Sequence, residues 1–143
     1  MTGIMIIRND FLKCLFSGLL LLSFKQGAQA QEMQPTHSKD DLKSVKAAIE
    51  SGKAVLLDVR EKAEWENGHL KDARFLPMSE LTKSNGDSFL KLRIDRQKIV
   101  YTHCGAGVRA LKASTILKQK GYDVRALKPG FSDLLDAGFP EAK

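Results

Sequence analysis

The sequence predicts an α/β fold, in which a central parallel sheet carries helices on both faces. Two short apolar runs, residues 54–58 and 98–102, have the length of buried strands. Stretches with apolar residues at helical spacing separate such runs along the chain. Strands that alternate with helices form parallel sheets, and a parallel strand is apolar throughout because helices cover both of its sides.

Each element is placed by its own local signals. Ser38 is expected to cap a first helix over residues 38–51, with Asp40 and Asp41 in its first turn. The buried stripe of this helix consists of apolar residues at helical spacing: Leu42, Val45 and Ile49. Later helices are expected over residues 61–66, 79–82, 89–94, 110–120 and 131–137. Further strands are expected within residues 69–76 and over residues 122–127, and residues 83–88 have the composition of a loop.

The first thirty residues have the features of a secretory signal peptide. Arg8 and Lys13 precede an apolar run over residues 14–24, and Ala28 and Ala30 form an A-x-A cleavage site. The run is shorter than a membrane-spanning helix, which needs about 20 apolar residues; an uncleaved anchor is the alternative. Cleavage after Ala30 would leave a flexible lead-in over residues 31–37 and one domain over residues 38–143. We expect this product to be periplasmic or secreted, with no stable membrane span.

The net charge of the chain and its two cysteines restrict the functions that it could have. The formal net charge is +6, and without the leader the balance is only modestly positive. A small positive net charge suits a small anionic substrate and is lower than the charge expected of a nucleic-acid-binding protein. The two cysteines are Cys14, in the leader, and Cys104. An exported domain that keeps one thiol without a disulfide partner is expected to use it chemically. Cys104 does not have metal-ligand spacing with His37, His69 and His103, so we expect no metal and no other cofactor.

Cys104 lies between a predicted strand and a predicted helix, in the segment Val100-Tyr-Thr-His-Cys-Gly-Ala-Gly-Val-Arg-Ala110. Gly105 and Gly107 allow backbone conformations in which successive N–H groups point inward. The following helix adds the positive end of its dipole. This field is expected to hold Cys104 as a thiolate, its reactive form, at the carboxyl edge of the sheet. Each feature taken alone has an alternative, a buried structural cysteine or an ordinary glycine turn.

Three blocks of the sequence resemble the single-domain rhodanese family, and in particular its small exported, phage-shock type. The first block is Leu57-Asp-Val-Arg60 with Glu64-Trp-Glu-Asn-Gly-His69 and residues 73–77. The second is residues 101–110, and the third is Gly130-Phe131 with Ala137-Gly-Phe-Pro140. The resemblance covers nearly all of residues 38–140. It implies a rhodanese-like three-layer α/β fold and thiosulfate sulfurtransferase activity.

The resemblance also implies a mechanism. Cys104 would attack the sulfane sulfur of a small anionic donor such as thiosulfate, and cyanide or a thiol would remove sulfur from the resulting persulfide. Loop N–H groups would bind these anions, namely those of Gly105, Ala106, Gly107, Val108 and Arg109. We expect Arg109 to hold the sulfonate end of thiosulfate; a solvent-facing arginine is the alternative. The enzyme is expected to be a monomer.

Three polar residues are expected to support the loop rather than react. Asp58 and Arg60 leave the first strand at the edge where Cys104 lies. His103 directly precedes Cys104, and neighbouring residues of a strand point to opposite faces. This argues against His103 as the base that deprotonates Cys104.

Two rival functions stay open at this stage. A cysteine phosphatase also holds a thiolate in an amide cradle, but its C-x5-R spacing is one residue longer than the C-x4-R spacing of Cys104 and Arg109. The tighter loop suits a sulfur atom better than a phosphoryl group. The other rival is a non-catalytic rhodanese-like module that binds a partner or senses sulfur, since fold alone does not fix function.

Overall fold

The fold is organised around a four-stranded parallel sheet, which a computed structural model describes together with its helices over residues 35–143. The strands are β1 (Ala54–Asp58), β2 (Ala73–Phe75), β3 (Ile99–His103) and β4 (Val124–Ala126), in the spatial order β2-β1-β3-β4. The helices are α1 (Leu42–Glu50), α2 (Lys62–Glu66), α3 (Met78–Lys83), α4 (Asp87–Leu90), α5 (Val108–Lys118) and α6 (Phe131–Asp136). Within these residues no helix has the length and apolar character that crossing a bilayer requires. The predicted signal peptide lies outside the described residues.

Helices cover both faces of the sheet, which confirms the predicted α/β architecture. Successive residues of a strand point to opposite faces, so Leu56 and Leu57 of β1 enter different cores. The Leu57 core packs against α3, α4 and α5, through residues such as Leu81, Phe89 and Leu117. The Leu56 core packs against α1 and α6, through Val45 and Leu134. The central strands are therefore buried on both sides, as continuous apolar runs require.

The first helix begins later than the sequence predicts. Its N-cap is Asp41, whose carboxylate accepts a hydrogen bond of 3.0 Å from the N–H of Ser44. The prediction of Ser38 as the cap is wrong: its hydroxyl accepts from the N–H of Asp40, at 3.1 Å, in a turn that precedes the helix. The N–H of Ser38 donates to the carbonyl of Ala126 at 2.7 Å, which ties residue 38 to the end of β4.

The segment between α3 and β3 also differs from the prediction. A helix over residues 89–94 was expected after a loop over residues 83–88, whereas α4 occupies Asp87–Leu90. Gly86 takes a left-handed conformation with φ of 85°, which lets the chain turn directly into this helix. Arg93 also has a positive φ, of 49°, so the helix cannot extend to residue 94.

Candidate active site

Cys104 lies at the carboxyl edge of the sheet, where the sequence predicts a site. It follows β3 directly, and the last residue of β3, His103, pairs with Asp58 at the end of β1. Parallel strands end at the same edge, which brings these three residues together. The Cys104 side chain is only 1% exposed. A reagent therefore has to reach the sulfur through the loop that follows it.

Gly107 supplies a hydrogen-bond donor to the sulfur. Its N–H donates to Sγ of Cys104 at 3.1 Å, and a donor at this position stabilises negative charge on the sulfur. Gly107 is the N-cap of α5 and has a φ of 84°, in the left-handed region. A Cβ at this position would also lie 2.7 Å from the carbonyl oxygen of Lys128. Glycine is thus required here both by conformation and by space.

Other N–H groups of the loop have no hydrogen-bond acceptor among residues 35–143. Within residues 35–143, the N–H groups of Gly105 and Ala106 donate no hydrogen bond. The first N–H groups of α5, at Val108 and Arg109, have no intrahelical acceptor because they lie at a helix start. Gly105, Ala106 and Val108 are exposed. These donors are therefore open to an anion that approaches from solvent.

A second backbone segment packs tightly against the loop. A Cβ on Gly130 would lie 1.8 Å from the carbonyl oxygen of Gly105, so these two segments of the protein are in contact through their backbones alone. Next to this contact, the N–H of Phe131 donates to the carbonyl of Cys104 at 2.9 Å. The φ of Gly130 is −84°, so space and not conformation demands glycine here. The start of α6 therefore holds the first half of the cysteine loop in position.

Arg109 is paired with Glu64 of α2. Nη1 and Nη2 of the guanidinium donate to Oε2 and Oε1 of the carboxylate, at 2.5 and 2.7 Å. This hydrogen bonding lowers the pKa of Glu64 to about 2. The same pairing raises the pKa of Arg109, and the nearby Cys104 acts in the same direction. A Cβ on Gly105 would lie 3.4 Å from Nη2, so the ion pair borders the loop next to the cysteine.

Asp58 and Arg60 form a second ion pair, which is buried. Nε and Nη2 of Arg60 donate to the Asp58 carboxylate at 2.7 to 3.1 Å. Nη2 also donates to the carbonyl of Gly68 at 2.8 Å, and the guanidinium lies 4.1 Å above the ring of Phe131. The N–H of Phe131 donates to the carbonyl of Cys104, so the ion pair is connected to the cysteine loop through this residue; the supporting role of both residues stays a prediction.

His103 is fully buried beside this pair. Its Nε2 lies 3.6 Å from Oδ2 of Asp58, and within residues 35–143 neither ring nitrogen makes a hydrogen bond. Burial lowers the pKa of His103 to about 4, although the charge of Asp58 acts in the opposite direction. His103 is therefore a neutral imidazole at pH 7 and adds no positive charge to the site.

Residues 41–137 match the rhodanese-like domain family. The protein belongs to this family. A rhodanese-related protein from Thermoplasma volcanium has the same fold, with a TM-score of 0.60 at 24% identity, over 75% of this chain and 98% of that structure.

Relatives of this rhodanese-like domain include a protein named as a sulfurtransferase. The chain is 30% identical over 107 residues to the probable adenylyltransferase/sulfurtransferase MoeZ of Mycobacterium tuberculosis, a match that covers 75% of this chain and 25% of MoeZ. It is 39% identical over 80 residues to the protein YqhL of Bacillus subtilis, which covers 55% of this chain and 59% of YqhL. The chain therefore spans about a quarter of MoeZ and about three fifths of YqhL.

Two contacts of this rhodanese-like domain were not foreseen from the sequence. In the sequence Glu64 belongs to a block that resembles the family, and nothing local shows that it pairs with an arginine 45 residues away. His37 was assigned to the lead-in, yet its Nε2 lies 3.1 Å from the carbonyl oxygen of Gly107. A Cβ on Gly107 would come within 2.9 Å of that nitrogen. A histidine in a short polar stretch carries no periodic signal that would reveal such a contact.

Proposed function

We propose that this rhodanese-like domain is a sulfurtransferase that carries a sulfane sulfur on Cys104. The observation that supports this most directly is the cradle around the sulfur. Sγ accepts the N–H of Gly107, and further N–H groups of the loop, at Gly105 and Ala106, have no acceptor in the described part of the chain. Backbone donors arranged in this way favour anions at the sulfur, and every intermediate of sulfane transfer is an anion.

The proposed reaction has two steps. In the first, the Cys104 thiolate attacks the outer sulfur of thiosulfate, or of another persulfide donor, and sulfite or the donor thiol leaves with the electron pair of the broken S–S bond. Cys104 then carries a persulfide anion. In the second, cyanide or a thiol attacks the outer sulfur of that persulfide, forms thiocyanate or a new persulfide, and releases the Cys104 thiolate. The N–H groups of the loop would stabilise the negative charge in each state.

Intact mass measurement tests the first step. The purified, reduced protein is weighed before and after brief exposure to thiosulfate, and separately to polysulfide. We expect a gain of about 32 Da, one sulfur atom, which cyanide then removes. Cys14→Ser should keep this gain, and the matched control Cys104→Ser, which retains Cys14, should lack it. If neither donor adds sulfur to Cys104, the proposal fails and a non-catalytic binding or sulfur-sensing domain becomes the better description.

A further inference from the structure

The cation nearest the cysteine loop is already neutralised. Both terminal nitrogens of Arg109 donate to Glu64, whose pKa of about 2 keeps it ionised at every pH at which the protein would act. The pair is about one-third exposed and borders the cysteine loop at Gly105. A donor that arrives at Cys104 therefore meets a compensated ion pair and not a free guanidinium.

The other charged groups at this edge do not replace Arg109. Arg60 is buried and shares its charge with Asp58. Lys128 touches the loop through its backbone, and its side chain is exposed, so water screens its charge. The fixed attraction for an anion consequently comes from backbone N–H groups. Backbone N–H groups carry partial and not full positive charge, so this site stabilises a dianion such as thiosulfate less than a free guanidinium would, which favours a donor with less negative charge.

Burial of the sulfur strengthens this preference. Cys104 is 1% exposed, so a donor must give up part of its hydration to bring its sulfane sulfur into contact. The cost of removing an ion from water rises steeply with its charge. Thiosulfate is a dianion with the charge on its sulfonate end, whereas an alkyl persulfide carries at most one negative charge on its two sulfurs.

We infer that Glu64 is a specificity-determining residue, which by holding Arg109 selects an alkyl persulfide over thiosulfate as the sulfur donor. This inference rests on the proposed sulfurtransferase function. In the step itself, the Cys104 thiolate attacks the outer sulfur of R–S–S–H and a new S–S bond forms. The old S–S bond breaks, and the inner sulfur leaves with the electron pair and takes the proton as R–SH. The charge of −1 passes from the Cys104 thiolate to its persulfide, and no external oxidant or reductant is needed.

The test compares two donors on three proteins. Rates of Cys104 persulfide formation are measured by mass with thiosulfate and with the persulfide of 2-mercaptoethanol, for the wild-type protein, Glu64→Gln and Glu66→Gln. Glutamine keeps the size of the side chain and removes its charge. Glu66 lies on the same helix but pairs with Lys62, so its substitution changes net charge equally without touching Arg109.

We expect the wild-type protein to react faster with the alkyl persulfide. Glu64→Gln should raise the second-order rate constant for thiosulfate about tenfold, the effect of one charge-assisted hydrogen bond gained by a freed Arg109. It should leave the rate for the alkyl persulfide within about twofold, and Glu66→Gln should change neither.

Several outcomes would overturn the inference while leaving sulfur transfer intact. They are a wild-type protein that prefers thiosulfate, a Glu64→Gln variant whose thiosulfate rate is unchanged or lower, and an equal loss with both donors. If Glu64→Gln folds poorly, the wild-type comparison still tests the donor preference, and a wild-type protein that reacts faster with thiosulfate overturns the inference. If no donor forms a persulfide on Cys104 in any of the proteins, the proposed function fails together with this inference.

Discussion

Acidification should destabilise this protein in part through a buried histidine, His103. His103 is fully buried, and its pKa is lowered to about 4 in the folded state. In the unfolded chain the imidazole is in water and titrates near its ordinary pKa, about 6.5. Between these two values the unfolded state binds a proton that the folded state does not. The free energy of unfolding therefore falls as the pH falls through this window, and it is regained as the pH rises.

The size of the effect follows from the two pKa values. A group whose pKa drops from about 6.5 to about 4 costs the folded state about 2 kcal/mol at pH 5 and about 3 kcal/mol at pH 4, relative to pH 7. His103→Leu removes the titrating group and replaces it with a side chain of similar volume. The variant should therefore lose about 3 kcal/mol less than the wild-type protein between pH 7 and pH 4.

Urea unfolding at pH 7, 5 and 4, followed by circular dichroism, measures this difference. The slopes of unfolding free energy against urea must agree between the proteins, so that only the pH is being compared. His69→Gln is the matched control, because the His69 ring is partly exposed and its Nδ1 lies 3.0 Å from the carbonyl oxygen of Trp65. This control should keep the wild-type pH dependence. Parallel curves for wild type and His103→Leu would refute the account of a neutral, desolvated His103.

The remaining predictions concern the glycines and the histidine around the cysteine loop. Gly130→Ala puts a methyl group where the Gly105 carbonyl oxygen lies, so we expect the free energy of unfolding, measured in urea, to fall by about 3 kcal/mol and little persulfide to form. Gly52→Ala is the control, because Gly52 has a φ of 73° but open space around it. This substitution should lower the free energy of unfolding by only about 1 kcal/mol and keep full activity. An active Gly130→Ala protein would contradict the close packing of the two segments. His37→Ala removes the contact with the carbonyl oxygen of Gly107 and should slow persulfide formation about fivefold. This factor corresponds to the loss of one hydrogen bond of about 1 kcal/mol. An unchanged rate would show that this contact does not position the loop.

The architecture could be predicted from the sequence because its signals are local. The run from Ala54 to Leu57 is apolar and is followed by Asp58, and the structure gives β1 the predicted bounds, Ala54–Asp58. Helical spacing correctly marks Val45 as a buried position of α1, with Leu42 and Ile49 packed beside it. Alternation of such segments is sufficient to predict a parallel sheet with both faces covered.

The predicted start of the first helix was wrong because contacts with residues far away in the sequence determine where the helix begins. Ser38, Asp40 and Asp41 are all acceptable caps by residue type, so the sequence does not distinguish among them. Distant contacts occupy one of the candidates: the Asp40 carboxylate accepts from Tyr101 and Arg125, which lie 61 and 85 positions further along the chain, and the helix is capped by Asp41. No periodicity within the helix contains that information.

The pairing of charges around Cys104 could not be predicted from the sequence either, because Glu64 and Arg109 lie far apart in the chain. From the sequence, Arg109 is a cation at a helix start, which suggests a binding group for the sulfonate of thiosulfate. In the structure each arginine at this edge has a carboxylate: Arg109 has Glu64, and Arg60 has Asp58. Side-chain charges therefore cancel in pairs around Cys104, and the uncompensated positive poles are backbone N–H groups. A substitution that changes a side chain can unbalance one pair, but only a change in the path of the backbone, such as that imposed at Gly130, can remove the cradle itself.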